Sequence, residues 1–469
     1  MPSQHIEITD SVLVKIGSFA DELGVEAYLV GGYVRDKFLG RECKDIDIVV
    51  VGDGIVFAQA IANAFGRKDI VVYEKFGTAM FPYDGGKIEF VTAREESYES
   101  GSRKPNVKKA SLESDLARRD FTINTLAASL NKGRFGEVNN MFDGYADLKQ
   151  KIIRTPLAPE KTFDDDPLRM MRAVRFAAQL QFKIIPGALE AIEQHAKRIA
   201  IVSQERVSDE FLKILASAKP STGLLLLKET GLANYVFPEL VEMVGVEQRK
   251  DYHHKDVFLH TLKVVDNMAA TTDDVWLRFV ALVHDIAKPR TKAFREDIGW
   301  TFHGHEDLGA RMMKFIFKRM RLPLEKLSFV EKLVRLHLRP MVLVSEEITD
   351  SAVRRLLFEA GDDIDDLMLL CRADITSQNP QRVARYLKNY DIVLQKMKEV
   401  EEKDRLRNWQ PPVRGEEIMR ICAIEPGPIV GVLKKRIEEA ILEGQIPNEH
   451  DAALQFLMNI KDQVLSENR

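Results

Sequence analysis

The sequence predicts an α+β protein, with a mixed strand-and-helix head followed by an all-α neck, body and tail. Up to about residue 155, short apolar runs such as Tyr28 to Val30 and Ile46 to Val51 alternate with amphipathic segments and Gly and Asp punctuation. Beyond Pro156 the apolar spacing turns helical almost to the C-terminus, broken at Pro186, Pro220, Pro289, Pro323, Pro340 and the Pro411 and Pro412 pair. A chain of 469 residues has room for about three domains of ~150 residues. The change of character places a head at 1–155, a helical neck at 156–230, a helical body at 231–405 and a helical tail at 406–469.

Composition narrows the class. With 45% hydrophobic and 30% charged residues the chain reads as an ordinary globular protein. No apolar run approaches the ~20 residues of a membrane span, and MPSQHIEITD lacks a signal pattern, so the cytoplasm is the expected compartment and a membrane is excluded as partner. The three scattered cysteines, Cys43, Cys371 and Cys422, argue against a disulfide framework or a thiolate metal cluster. A net charge of −4 means that a nucleic acid would be held by local basic patches.

In order along the head, Ser11 to Leu23 and Val56 to Phe65 have helical periodicity, while Ile70 to Tyr73, Thr78 to Pro82 and Lys87 to Thr92 alternate as strands. The stretch Tyr28 to Val51, YLVGGYVRDKFLGRECKDIDIVVV, organises the rest. Asp45 and Asp47 are two apart in a strand setting and therefore point to one face, where with Glu89 of KIEFVTAR they would hold divalent metal. Gly31 and Gly32 stand before a helix start, whose free N–H groups suit a triphosphate, with Arg35 close behind. A lone DxD strand is as well read as two solvated carboxylates; the GG-x-x-R-D string is what lifts it above that.

The string LVGGYVRDKFLGRECKDIDIVV resembles the first motif of the tRNA nucleotidyltransferases and bacterial poly(A) polymerases, on the bacterial and eukaryotic side of that family. The resemblance continues through RRDFTINTLAAS, FDGYADLKQKIIRT, DDDPLRMMRAVRFAAQL and ERVSDEFLKIL. It implies a polymerase-β-like nucleotidyltransferase head that uses Mg2+, ATP and CTP to build or repair the 3′ CCA of tRNA lacking all or part of it. Poly(A) synthesis or addition of the terminal A alone are close variants.

Within RRDFTIN, Arg118 and Arg119 would meet phosphate, and Asp120 and Asn124, at i and i+4 of a helix start, would hold the sugar or orient an arginine. The Asp143-Gly144 turn would link head to neck. In DDDPLRMMR, Pro167 fits a first helical turn, so Asp166 and Arg169 share a face. The resemblance makes this pair a protein template. A carboxylate accepts from the amino group of cytosine or adenine and a guanidinium donates to the neighbouring ring nitrogen, whereas uracil and guanine present a ring N–H there. The family commonly has glutamate where this chain has Asp165; Arg172 and Arg175 continue the basic stripe. Between Ala93 and Asp115 a polar stretch with Arg94, Tyr98, Lys104, Pro105, Lys108 and Lys109 resembles the flexible loop of enzymes that add the terminal A.

The body carries His260, His284, Asp285, His305, His337 and Asp374 in successive helical segments. Imidazole and carboxylate ligands so arranged let a helical bundle assemble a hydrolytic di-metal centre. The order resembles the HD phosphohydrolase superfamily, which implies a transition metal such as Mn2+, Ni2+ or Fe2+ and activity on phosphomonoesters or 2′,3′-cyclic phosphates. His253, His254 and His303 read as loop or supporting residues. A different class of reading, an HD hydrolase with a nucleotide-sensing head, is disfavoured because a sensor needs neither the metal carboxylates nor a base-reading pair. The basic run of Arg311, Lys314, Lys318, Arg319 and Arg321 is expected to meet RNA backbone, and the tail from about Gly415, which resembles the terminal region of HD-containing members, to grip the tRNA elbow.

Overall fold

A computed structural model describes residues 4–97, 106–247, 256–297, 299–345, 349–377, 379–404 and 411–467. Tyr98, Lys104, Pro105, His253 and His254 lie outside them. The chain forms two units, Met1–Val241 and Glu242–Arg469.

The first unit is built on one sheet. Its strands are β1 (Gln4–His5), β2 (Glu26–Val30), β3 (Ile46–Val51), β4 (Val71–Tyr73), β5 (Thr78–Tyr83) and β6 (Gly86–Thr92), with β7 (Ala127–Ser129) and β8 (Glu137–Asn139) arriving later in the chain. Their order across the sheet is β1-β8-β7-β2-β3-β6-β5-β4. Within this sheet neighbouring strands pair antiparallel except β3 with β6, and that exception places Asp47 beside Glu89. Apolar residues on β2, β3 and β6, including Leu29, Ile48, Val49 and Phe90, are wholly buried.

Helices pack on this sheet where the sequence has stop and start signals. α1 (Ser11–Glu22) is capped by Asp10, whose carboxylate accepts from the Val12 N–H, and α2 (Gly32–Phe38) follows Gly31. α3 (Gly54–Ala64) is capped by Asp53. Gly54 belongs there because a Cβ would stand 2.7 Å from the Thr92 amide nitrogen. After α4 (Leu112–Ala117) and α5 (Gly144–Gln150) the chain becomes helical, through α6 (Pro159–Asp165) and α7 (Leu168–Leu180) to Pro186–His195, Gln204–Leu215 and Pro220–Glu229. α7 is amphipathic, with Met170, Met171, Val174 and Ala177 fully buried.

The described residues of the second unit are mainly helical. Helix Val257–Ala269 carries His260 in its first turn, and helices Val275–Val283, His305–Met320, Leu327–Leu336 and Ile364–Ala373 each end or begin at one of the other histidines or aspartates singled out above. Among them is an antiparallel pair of strands, Ala293–Arg295 and Gly299–Thr301, which helical periodicity did not anticipate. Helices Gly415–Cys422, Pro428–Leu442 and His450–Glu467 share a core of their own around Ile418, Leu433, Ile437 and Leu457. Among the described residues no helix is long and apolar enough to cross a membrane.

Candidate nucleotide site and candidate metal centre

Gly31 closes β2 at φ 65° and ψ −129°, a conformation open essentially to glycine alone. A Cβ there would stand 3.4 Å from Arg119 Nη1 and 3.5 Å from Asp47 Oδ2, ordinary van der Waals contact, so it is the backbone conformation that calls for glycine, and the turn lies directly against both groups. Asp47 and Glu89 sit side by side on β3 and β6. Asp45 precedes the strand instead of lying on it and is exposed. Burial pushes the Asp47 carboxyl above its ordinary pKa, and the Glu89 charge adds to this against Arg119 and Lys87. Lys87 Nζ approaches Glu89 Oε2 at 2.7 Å. Two adjacent carboxylates, one already short of counter-charge, are the donor set a divalent cation would relieve.

These groups face a cavity of about 380 Å3, whose walls also include Arg119, Asp166, Arg169 and Arg206. Asp115, wholly buried, fixes the arginine side of it, accepting from Arg118 and, at 3.0 Å, from Arg119 Nη2. Its pKa stays below the usual range, because the two guanidinium charges outweigh burial. Asp120 accepts from Arg172 Nε at 2.8 Å and Asn124 Nδ2 at 3.0 Å, and Asn124 Oδ1 accepts from Arg35 Nη1 at 2.9 Å. Burial would raise the Asp120 pKa, but Arg172 and Asn124 hold it far below the ordinary carboxylate value. The guanidiniums of Arg35, Arg172 and Arg175 stand 5.1, 5.4 and 4.0 Å from the Phe176 ring centre.

Several expected site residues therefore stand behind the cavity. Arg35 and Asn124 are buried in the Asp120 network, and Arg175 is paired with Glu210 at 2.6 Å; none of the three lines the cavity. Gly31, Gly32 and Asp45 are not in its wall either, although Gly31 abuts two groups that are. Asp120 and Asn124 do not start an α-helix: Phe121 is extended and Thr122–Asn124 is one 3-10 turn. Asp166 is likewise outside α7, extended between α6 and Pro167, with Oδ1 accepting from the Leu168 N–H at 3.2 Å. Proline disfavours a helical residue before it, which is why i and i+3 do not form the expected helix pair. Arg169 turns its guanidinium to the carbonyls of Arg118 and Thr162, at 2.7 and 3.5 Å. Arg206 Nη2 is 3.9 Å from Asp166 Oδ2.

Sequence reading had not singled out Asp115 or Arg206 as site residues. For Asp115 the signal was present, since D-x-x-R-R puts both arginines at i+3 and i+4 of one short helix. Asp143, read as a turn, has φ 55°, and Gly144 packs so closely that a Cβ would fall 2.1 Å from the Thr122 carbonyl oxygen.

In the second unit, six residues spread over 115 positions converge. His260, His284 and Asp285 bring one ligand atom each within 4.8 Å of the others, and Asp285, His305 and His337 do the same, so Asp285 is common to both sets. Asp374 Oδ1 adds a carboxylate 2.9 Å from His260 Nε2. Every Nδ1 has a partner outside the cluster: Thr376 Oγ1 for His260, and the carbonyls of Ala281, Phe302 and Val334 for His284, His305 and His337, at 2.7–2.9 Å. This leaves each Nε2 facing inward as a ligand, the arrangement by which outer partners orient metal-binding histidines. Buried His284 Nε2 and Asp374 Oδ1 lie 3.5 Å apart and make no well-aligned hydrogen bond, their approaches at 3.2 Å to Asp285 Oδ2 and 2.9 Å to His260 Nε2 being ion-pair contacts within the cluster. A bound cation would satisfy both. Burial disfavours a charged His284, yet Asp285 and Asp374 push its pKa up to about 10, while burial lowers that of His337. The donor set thus fits divalent metal. His303 is exposed beside the cluster.

A sheet with paired carboxylates under a glycine turn and an arginine-lined cavity defines a nucleotidyltransferase head, and the histidine-aspartate cluster defines an HD-type domain. Residues 27–154 match the family described as Poly A polymerase head domain, 181–243 the probable RNA and SrmB-binding site of polymerase A, and 257–378 the HD domain. The chain is 31% identical over 438 residues to the A-adding tRNA nucleotidyltransferase of Deinococcus radiodurans, covering 91% of this chain and 94% of that one. It is equally 31% identical over 438 residues to the CC-adding tRNA nucleotidyltransferase of Thermus thermophilus, at 91% and 92% coverage. The protein belongs to the tRNA nucleotidyltransferase family, whose chemistry employs divalent metal. The Bacillus stearothermophilus CCA-adding enzyme in complex with CTP shares the fold, with TM-score 0.67 at 24% identity over 98% of this chain and 100% of that one.

Proposed function

We propose that the protein adds and repairs the 3′-terminal CCA of tRNA without a nucleic-acid template, using CTP and ATP in the cytoplasm. The observation that carries this reading is the single cavity in which Asp47 and Glu89 face Arg119, Asp166 and Arg169. Asp45, Asp47 and Glu89 would hold Mg2+, which supplies charge neutralisation for the attacking hydroxyl and the leaving pyrophosphate. The N–H groups after Gly31 and Gly32, with Arg119, would seat the triphosphate. Asp166 and Arg169 would read the base edge. Asp120 and Arg172, which line the same cavity, would contact the nucleotide beside that reader, with Arg35, Asn124 and Arg175 supporting them from behind. The four segments 1–155, 156–230, 231–405 and 406–469 would serve as catalytic head, nucleotide-selecting neck, HD domain and RNA-binding tail. The basic face of His305–Met320, with Arg311, Lys314 and Lys318 exposed, would carry RNA backbone.

A-adding and CC-adding relatives stand at the same identity, so the product decides. Transcripts ending before CCA are incubated with CTP, ATP or both, and the ends sequenced. Complete CCA is expected; long A tracts without C, or A added only to a pre-existing CC, would overturn the reading.

A second activity is favoured by the histidine-aspartate cluster, with its two three-residue groups sharing Asp285. His260, His284, Asp285, His305, His337 and Asp374 would hold a divalent transition metal, such as Mn2+, Ni2+ or Fe2+, for hydrolysis of phosphomonoesters or 2′,3′-cyclic phosphates. Failure of the metal-supplemented protein to cleave either class would refute it.

A further inference from the structure

We propose that the hairpin Ala293–Arg295 and Gly299–Thr301 is a stacking platform that seats the nucleoside of a phosphate ester at the histidine-aspartate centre. This rests on the hydrolytic reading of that centre. Phe294 and Trp300 are cross-strand partners, with ring centroids 5.1 Å apart and planes at 73°. They remain 49% and 37% exposed. A cross-strand aromatic pair helps hold a two-stranded hairpin together, but that role requires neither open rings nor cations beside them.

The surroundings give the rings a direction. Lys292 Nζ stands 4.2 Å from the centre of a Trp300 ring. Phe302, two residues beyond Trp300, has Lys288 Nζ at 5.7 Å from its ring centre, and that same ammonium lies 2.7 Å from Asp285 Oδ2. The Phe302 carbonyl accepts from His305 Nδ1 at 2.7 Å. Two strand residues span roughly 7 Å, so the exposed indole stands within about one nucleotide's length of residues that touch the centre. Aromatic faces flanked by ammonium groups match a base carried on an anionic phosphate, and stacking of this kind tolerates any base. An apolar protein partner would have to desolvate Lys292 and Arg295 on the same hairpin. The occupant that satisfies rings, cations and centre together is a nucleoside phosphate, such as the last residue of an RNA 3′ end.

The test uses the full-length metal-loaded protein with adenosine 2′,3′-cyclic phosphate, a trinucleotide ending in a 2′,3′-cyclic phosphate, and base-free glycerol 2-phosphate. Trp300→Ala should raise KM for both nucleoside esters about five- to 100-fold with little change in kcat, and leave the KM for glycerol 2-phosphate as it was. Trp300→Phe should retain most of the affinity. The chain has three tryptophans, so the emission difference between parent and Trp300→Phe isolates Trp300, and that difference should be quenched by adenosine 2′,3′-cyclic phosphate. An unchanged thermal midpoint checks that the exposed substitution leaves the fold intact. If esters are cleaved but Trp300→Ala treats all three substrates as the parent does, the platform is wrong and the hydrolytic reading stands. If no ester is bound or cleaved by the parent, both fail. If Trp300→Ala instead dissociates an oligomer with no change in KM, the hairpin is a protein interface and the proposal is overturned.

Discussion

Replacing Asp115 with asparagine tests the proposed triphosphate side of the site while leaving side-chain shape nearly constant. Asp115 is wholly buried and accepts from two arginines, whose side chains are 18% and 17% exposed. Removing one partner from a buried ion pair costs about 3–5 kcal/mol. Because water still reaches part of each guanidinium, the lower end applies, about 3 kcal/mol, a large fraction of the ~5–15 kcal/mol that holds a domain together. Arg119, released from Asp115, should also lose its place beside Asp47. Loss of one charge-assisted contact, about 1.5–3 kcal/mol, predicts a rise of roughly 10- to 100-fold in KM for CTP. The assays are denaturant unfolding followed on the first unit and initial rates of CTP addition to truncated tRNA. Because the Asp115 pKa is depressed on folding, its contribution is present above the unfolded value near ~3.9 and fades only as pH falls through the folded one. Parent and variant should therefore differ throughout pH 5–8 and converge in acid. An Asp115→Asn protein with parental unfolding midpoint and parental KM would refute the idea that Asp115 sets the arginines.

Asp47→Ala should abolish nucleotide addition to background while cleavage of a 2′,3′-cyclic phosphate persists; loss of both activities in a folded variant would sink the two-centre reading. Gly31→Ala forces φ 65° on a residue with a Cβ in the turn that lies against Arg119 and Asp47, so a stability loss of about 1–3 kcal/mol with lower kcat is expected from thermal unfolding and CTP kinetics. Arg206→Ala removes a half-exposed partner 3.9 Å from Asp166, and should relax discrimination against UTP only two- to fivefold in competition assays. Chelation, or His305→Ala, should eliminate bound transition metal by elemental analysis and stop ester cleavage, with CCA addition restored by Mg2+ alone.

The strands and helices of the head were legible because burial imposes a 3.6 period on a helix face, as in Ser11 to Glu22, period two on a strand with one buried face, as in Gly86 to Thr92, and a continuous apolar run on a central strand such as Ile46 to Val51. The paired strands Ala293–Arg295 and Gly299–Thr301 escaped because they are only three residues each amid helices, too short for any period to register. Pro167 marked the start of α7 to within one residue, yet the same proline removed Asp166 from the helix.

At the sites the division is similar. Sequence alone determined which chemistry is present: carboxylates near a double glycine, an Asp-Arg pair after a helix break, and six metal-type ligands in order. Only the tertiary structure decided which of them share a volume. Parallel pairing of β3 with β6, a long-range contact, brought Glu89 to Asp47. The Asp120 network drew Arg35 and Asn124 behind the cavity wall, and Arg206 was brought in from a later helix. A residue's type states what it can bind, because charge and hydrogen-bonding capacity are local. Whether it faces a ligand or another side chain depends on competing partners distant in sequence, and that competition is settled by packing.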